Sequence, residues 1–179
     1  MVYFKPAGAR GQALHQDQFY LKAHPGTCMA AWLALDPCDE ANGCMQVVPG
    51  SHHWSILCTT QADTTVSFTD VTVPLPEGQK ASPVLMEAGD VLFFGGSLVH
   101  GSLPNTTTGR FRRSLIGHYI SSDAQQLTAF LQPVLRMDGT TVPLSVSEPG
   151  GPCGVWVEKD GRSAIEMSGI ETYTAARSE

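Results

Sequence analysis

The chain has 179 residues, of which 42% are hydrophobic and 16% are charged. This length supports one hydrophobic core, so we predict a single domain over residues 1–179. The formal net charge of −6 argues against a nucleic-acid-binding face and favours a small-molecule substrate. No stretch approaches the roughly 20 apolar residues of a membrane span, so we expect no membrane association.

Short runs of β-branched and aromatic residues alternate with glycine- and proline-rich turns along most of the chain, which is typical of strands joined by loops. The pattern therefore indicates a mostly β fold. We predict a polar excursion over residues 55–80, above the site, with one alternating run inside it. The predicted strands, in chain order, cover residues 1–5, 27–35, 44–48, 66–73, 84–87, 91–94 and 114–120.

Residues 122–137 carry the clearest helical pattern, with Leu127, Leu131 and Leu135 on one face, and we predict a C-terminal helix there. The remaining tail is rich in glycine and proline. Within it, Lys159-Asp160-Gly161 indicates a small hairpin. Residues 1–121 form the part that bears the motifs, and residues 122–179 form the helix and tail.

Five cysteines occur at positions 28, 38, 44, 58 and 153. The number is odd and no C-x-x-C pair is present, so we expect neither a disulfide framework nor a zinc knuckle. The N-terminus lacks the pattern of a signal peptide. These features favour a reducing, cytoplasmic location, and they leave the oligomeric state open.

A histidine and a carboxylate stand two positions apart in His15-Gln16-Asp17. On a strand, this spacing puts both side chains on one face, as neighbouring metal ligands require. His100 follows a predicted strand and precedes a glycine, which suits a histidine at a strand end. Two histidines and one carboxylate form the facial triad of non-haem Fe(II) oxygenases, which leaves positions open for cosubstrate and dioxygen. We therefore predict His15, Asp17 and His100 as catalytic metal ligands.

Arg112 lies on the strand that follows His100. The distal carboxylate of 2-oxoglutarate needs a bidentate cation, which an arginine supplies. Arg112 and Arg113 face opposite ways on a strand, and Arg110 and Arg113 remain alternatives for this role. His118 alternates with isoleucines on the same strand, and it is either a core histidine or part of a pocket wall.

Five segments together resemble the phytanoyl-CoA dioxygenase family. They are LHQD at 14–17, NGCMQVVPGSH at 42–52, AGDV at 88–91, VHGS at 99–102 and FRRS at 111–114. The resemblance implies a double-stranded β-helix, or jelly roll, with one or two short helices. It also implies Fe(II)- and 2-oxoglutarate-dependent hydroxylation of a small organic substrate by O2, with release of succinate and CO2.

By position, the resemblance implies His15, Asp17 and His100 as iron ligands and Arg112 as the anchor of the cosubstrate. It implies further cosubstrate contacts for Trp32, Ser102 and Gln16.

The chain departs from the family pattern at its N-terminus. Family members usually carry a much longer segment before the H-x-D motif, and here fourteen residues precede His15. An edge of the larger sheet is expected to be uncovered. Two alternatives therefore stay open: an impaired jelly-roll protein that binds metal or 2-oxoglutarate without turnover, and a cupin-like enzyme that does not use 2-oxoglutarate.

Overall fold

The computed structural model describes residues 1–148 and 150–171. The N-terminal part contains β1 (Val2–Lys5), β2 (Gln12–His15), α1 (Asp17–Leu21), β3 (Met29–Ala34), β4 (Met45–Val47), a 3-10 helix (Ser51–His53), β5 (Thr60–Gln61), β6 (Val71–Thr72), β7 (Ser82–Val84), β8 (Val91–Gly95), β9 (His100–Ser102) and β10 (Arg112–Tyr119). The C-terminal part contains β11 (Gln126–Leu127), a 3-10 helix (Ala129–Leu131), β12 (Val134–Leu135), β13 (Thr141–Val142), β14 (Ser145–Val146), β15 (Gly151–Lys159) and β16 (Arg162–Glu171).

Two four-stranded sheets form the body of the fold. One has the order β1-β10-β3-β8 and the other β2-β9-β4-β7. All pairs within them are antiparallel. Neighbours in each sheet are distant in sequence, which is the arrangement of a double-sheet jelly roll. The predicted mostly β, jelly-roll class is confirmed, and β1 lies at one edge of its sheet.

The hydrophobic core lies between the two sheets. Alternation along β3 buries Ala30, Trp32 and Ala34, since successive side chains of a strand point to opposite faces. These residues pack with the buried side chains of Met45, in the other sheet, and of Cys44 just before it. The packing holds the two sheets together and leaves room for polar side chains at one end.

The excursion between β4 and β7 contains only the short strands β5 and β6, so the alternating run at 66–73 forms a strand at two residues alone. A disulfide joins Cys58 of this excursion to Cys153 of β15. The expected absence of a disulfide is therefore wrong. The two cysteines are 95 positions apart, and only the fold brings them together. The cytoplasmic location rested partly on that expectation and stays a prediction.

Residues 122–137 do not form the predicted helix. They contain β11, one 3-10 turn and β12. Pro133 explains the difference, because it has no N–H to donate and restricts the residue before it, so an α-helix cannot run through it. Leu127 and Leu131 nevertheless pack inward, in a cluster around Leu21. The apolar pattern correctly indicated residues that face the core, but it did not determine the secondary structure of the segment.

The predicted hairpin at Lys159-Asp160-Gly161 is present and is longer than expected, since it joins β15 to β16. Asp160 and Gly161 both have positive φ angles, 51° and 70°, as a two-residue hairpin turn requires. Trp156 of β15 packs on Trp54 with ring centroids 5.0 Å apart. The hairpin thereby covers the excursion.

Among the described residues, no helix is long and apolar enough to cross a membrane.

Candidate metal centre

His15, Asp17 and His100 come together at one end of the jelly roll. His15 ends β2 and lies opposite His100 at the start of β9. Asp17 is the first residue of α1, so the predicted placement of both H-x-D residues on one strand is wrong. The turn into α1 still directs the carboxylate to the histidines. One ligand atom from each residue lies within 4.8 Å of the others, and all three residues are buried.

Both histidines present the same ring nitrogen to the centre. His15 Nδ1 lies 2.9 Å from the carbonyl of Ala13 and His100 Nδ1 lies 2.9 Å from the carbonyl of Leu98. A carbonyl only accepts, so Nδ1 carries the proton and Nε2 keeps a lone pair. The Nε2 atoms lie 3.5 Å and 3.6 Å from Asp17 Oδ1. This donor set fits a divalent transition metal.

The electrostatics favour a neutral His100 and an ionised Asp17. Burial, helped by the nearby His15, lowers the pKa of His100 to about 4. Burial alone would raise the pKa of Asp17, but hydrogen bonds with His118 and His15 and the charge of His100 hold it well below its usual range. At neutral pH, His100 and Asp17 are therefore in the protonation states that bind a metal.

His118 is the fourth polar residue of this centre. Its Nε2 lies 3.0 Å from Asp17 Oδ2, on the carboxylate oxygen that does not face His15 and His100. The sequence left His118 open between core and pocket wall. Its position on the same face of β10 as Arg112 was visible from the alternation, but its partner Asp17, 101 residues earlier, was not.

A cavity of about 280 Å³ adjoins the centre. Arg112, Trp32 and Ser102 line it, as does Gln12. The Gln12 amide nitrogen lies 3.2 Å from His15 Nε2, so Gln12 connects the cavity to the candidate ligands. Three of the four predicted cosubstrate residues are thus brought together.

Arg112 is a buried cation without an acidic partner among the described residues. It is 4% exposed, and it donates from Nε to the Gly43 carbonyl and from Nη1 to Ser114 Oγ, each at 3.1 Å. Its guanidinium stacks 5.2 Å above the Trp32 ring. Burying an unpaired charge is costly, and a carboxylate in the cavity would supply the missing partner.

The other residues considered for cosubstrate binding are Ser102, Arg110 and Arg113. Ser102 Oγ accepts hydrogen bonds from Lys5 Nζ at 2.9 Å and from the Gln12 backbone at 3.2 Å, which leaves its own proton to donate. Arg110 and Arg113 instead form ion pairs at the surface with Asp39 and Asp36. Of the three arginines, Arg112 lines the cavity.

Lys5 is a cavity residue that the sequence analysis missed. It is 6% exposed, it pairs with Arg112 across β1 and β10, and it also lines the cavity. Besides Ser102, its ammonium donates to the carbonyls of Gly43 and Leu103. Burial first, and then the charge of Arg112, lower its pKa to about 7. The only signal in the sequence was a charged residue at the end of a predicted strand.

Gln16 has a different place from the one predicted. Its side-chain amide donates to the carbonyls of Ser55 and Ser97 and accepts from the Leu57 N–H. The residue is 1% exposed and does not line the cavity of Arg112. These hydrogen bonds connect the start of the excursion to the centre. In this structure, Gln16 between the two candidate ligands has structural contacts.

Comparison with known proteins gives a consistent result. The family model described as phytanoyl-CoA dioxygenase (PhyH) matches residues 1–114. Phytanoyl-CoA dioxygenase 1 of Oryza sativa subsp. japonica is 30% identical over 124 residues, which are 69% of this chain and 44% of that protein. The peroxisomal phytanoyl-CoA dioxygenase of Mus musculus is 34% identical over 63% of this chain and 34% of its own length. The chain thus spans less than half of these relatives.

Solved structures share the architecture. The non-heme alpha ketoglutarate dependent carbocyclase SnoK from nogalamycin biosynthesis is 25% identical, with a TM-score of 0.55 over 69% of this chain and 49% of that one. The epimerase SnoN, 23% identical, gives a TM-score of 0.58 over 92% of this chain and 61% of its own, which supports the fold alone. With its motifs, its two sheets and a family match over residues 1–114, the chain belongs to the phytanoyl-CoA dioxygenase family.

Proposed function

We propose that the chain is an Fe(II)- and 2-oxoglutarate-dependent dioxygenase that hydroxylates a small organic substrate. One oxygen atom of O2 would enter a substrate C–H bond, and the other would enter succinate as 2-oxoglutarate loses CO2. The observation that carries the proposal is the convergence of two histidine Nε2 atoms on one buried carboxylate, next to a cavity that contains the unpaired Arg112.

In this proposal His15, Asp17 and His100 hold Fe(II), which supplies the open positions where 2-oxoglutarate and O2 react. Arg112 and Ser102 bind the distal carboxylate of 2-oxoglutarate, with a bidentate guanidinium and a hydroxyl proton. Trp32 closes the cavity below the guanidinium and excludes water. The carboxylate of Asp17 favours hydroxylation over halogenation, because a small residue at that position would open a site for halide.

The relatives support the cofactors. The SnoK carbocyclase, which is 25% identical, is alpha ketoglutarate dependent. This chain itself contains the residues that would bind the same cofactors. The three candidate ligands and all eight strands of the two sheets lie within residues 1–119.

The test is an anaerobic titration of metal-free protein with Fe(II) and 2-oxoglutarate, following the visible charge-transfer band of the chelate. We expect a band that needs both additions and weakens in Arg112→Ala. Arg113→Ala is the matched control, because the Arg113 guanidinium is paired with Asp36 at the surface. This variant should keep the band.

Two outcomes would overturn the proposal. Folded, metal-loaded protein without a band favours the cupin-like enzyme that does not use 2-oxoglutarate. A band that is insensitive to Arg112→Ala would refute the role of Arg112 alone. A normal band without any succinate release, even with a panel of candidate substrates, favours the protein that binds without turnover.

A further inference from the structure

A second cavity, of about 640 Å³, lies between the end of β10 and the C-terminal segment. Its volume is in the range of small-molecule sites. Apolar side chains dominate its wall, among them Leu21, Leu127, Leu131, Leu135 and Leu144. Apart from Leu21, every residue that lines it follows residue 114, where the match to the family model ends. The cavity is therefore formed by the part of this chain that the family comparison does not describe.

This cavity adjoins the candidate metal centre through two side chains. His118 lines it, and the same imidazole lies 3.0 Å from Asp17 Oδ2. Leu21, also in the wall, follows Asp17 by one turn of α1, and residues four apart share a helix face. The inner end of the cavity is thus one side chain away from the candidate ligands.

The charge around the cavity is opposite in sign to that of the whole chain. The chain carries a net charge of −6, yet no aspartate or glutamate lines this cavity, whereas Arg136 does. The Arg136 guanidinium has no hydrogen-bond or ion-pair partner among the described residues. Its backbone is fixed by the turn between β12 and β13, in which its N–H donates to the Thr140 carbonyl at 2.8 Å. An anionic group would complement this arginine.

We propose that this cavity binds the substrate, and that the substrate is an apolar molecule with a carboxylate. The carbon skeleton lies against Leu127, Leu131 and Leu144, and the carboxylate pairs with Arg136. The opposite end of the molecule lies beside His118, next to the candidate metal centre. This inference rests on the proposed function, because it takes the adjoining centre as the site of oxidation.

The test uses isothermal titration calorimetry of the metal-free protein with decanoate and with decanol, which differ in charge. We expect the parent to bind decanoate about tenfold more tightly than decanol, the size of one charge-assisted hydrogen bond. Arg136→Gln should bind both equally. Leu135→Glu should bind decanoate at least about tenfold more weakly, because the new carboxylate repels the ligand and pairs with Arg136.

Leu85→Glu is the matched control, since Leu85 is 64% exposed and Leu135 is 62% exposed, and Leu85 does not line the cavity. It should bind decanoate as the parent does. Unchanged decanoate binding in Arg136→Gln or in Leu135→Glu overturns the inference, as does equal loss in Leu85→Glu.

The charge-transfer band separates this inference from the proposed function. Arg136 and Leu135 lie outside the candidate ligands and the cavity of Arg112, so both variants should form the band. Decanoate should change the band of the parent and leave that of Leu135→Glu unchanged. A band without decanoate binding overturns this inference alone. Decanoate binding without a band overturns the proposed function and the assignment of the ligand as substrate.

Discussion

Single side chains decide the chemistry of the centre through the atoms that hold them. The carbonyls of Ala13 and Leu98 each fix one imidazole by its Nδ1, so both Nε2 atoms face Asp17. His118 fixes the other oxygen of Asp17. Residues that orient metal ligands in this way contribute to metal affinity without touching the metal.

Replacing His118 should therefore weaken metal binding. In His118→Phe the carboxylate of Asp17 loses its hydrogen-bond donor, and we expect Co(II), used in place of Fe(II), to bind about 10- to 100-fold more weakly. The visible spectrum of bound Co(II) gives the affinity. His53→Phe, at an exposed histidine, is the control. Equal affinities for Co(II) in both variants would refute a positioning role for His118.

Lys5 should make the stability of the fold depend on pH. Its pKa falls from 10.5 in a free lysine to about 7 in the fold. Between these values the unfolded chain binds the proton and the folded chain does not, so the free energy of unfolding should rise with pH above about 7. Below that pH both states are protonated and this contribution is constant.

Lys5→Met should flatten this rise. Urea unfolding at a series of pH values from about 7 to about 10 measures it. Lys80→Met, which removes an exposed lysine, should keep the slope of the parent. The same slope in Lys5→Met and the parent would show that Lys5 does not carry the pH dependence.

Among the structural elements, the turn before β4 supports the cavity of Arg112. The Gly43 carbonyl accepts hydrogen bonds from both Lys5 and Arg112. Gly43 has a φ of +83°, and a Cβ there would lie 2.5 Å from the Leu103 carbonyl oxygen. Only glycine combines that backbone angle with so close an approach.

Gly43→Ala should consequently destabilise the fold by more than the cost of holding an alanine at a positive φ. Gly78 has nearly the same φ, +81°, and open space around it, so Gly78→Ala isolates the backbone contribution of roughly 1 to 2 kcal/mol. We expect Gly43→Ala to cost about 1 to 3 kcal/mol more because of the clash. Urea unfolding of both variants tests this, and equal losses would show that the turn relaxes freely.

At the scale of the whole molecule, two sheets provide the framework, and the excursion and the C-terminal hairpin pack against one of them. Leu57 and Val73 of the excursion share a buried cluster with Val48 and Val99 of the jelly roll, and Trp156 packs against it. The disulfide between Cys58 and Cys153 links the same two regions covalently. These contacts attach late parts of the chain to early ones.

Removing the disulfide should lower the stability of the fold substantially. It closes a loop of 95 residues, and a cross-link of that span restricts the unfolded chain by about 5 kcal/mol. We expect a loss of this size in the double variant Cys58→Ser, Cys153→Ser, measured by guanidinium unfolding. Reductant should destabilise the parent similarly and leave the double variant unchanged.

A count of thiols in denatured protein checks the pairing itself. Three cysteines are free in the structure, and the chain has five, so reduction should raise the count from three to five. Five reactive thiols before reduction would contradict the disulfide.

The sequence determined the mostly β class and most strand positions, because alternation and turn residues act over a few positions. It identified the three clustered candidate ligands by their residue types and motifs. Alternation placed Arg112 and Arg113 on opposite faces of one strand, and the structure showed that Arg112 is the one that lines the cavity. The tertiary structure alone decided the helical start at Asp17, the loss of a helix at 122–137, the disulfide and the partners of Lys5, Gln16 and His118. Each of these features depends on contacts between residues distant in sequence, or on a competition between local preference and packing. Neither can be read from the sequence alone.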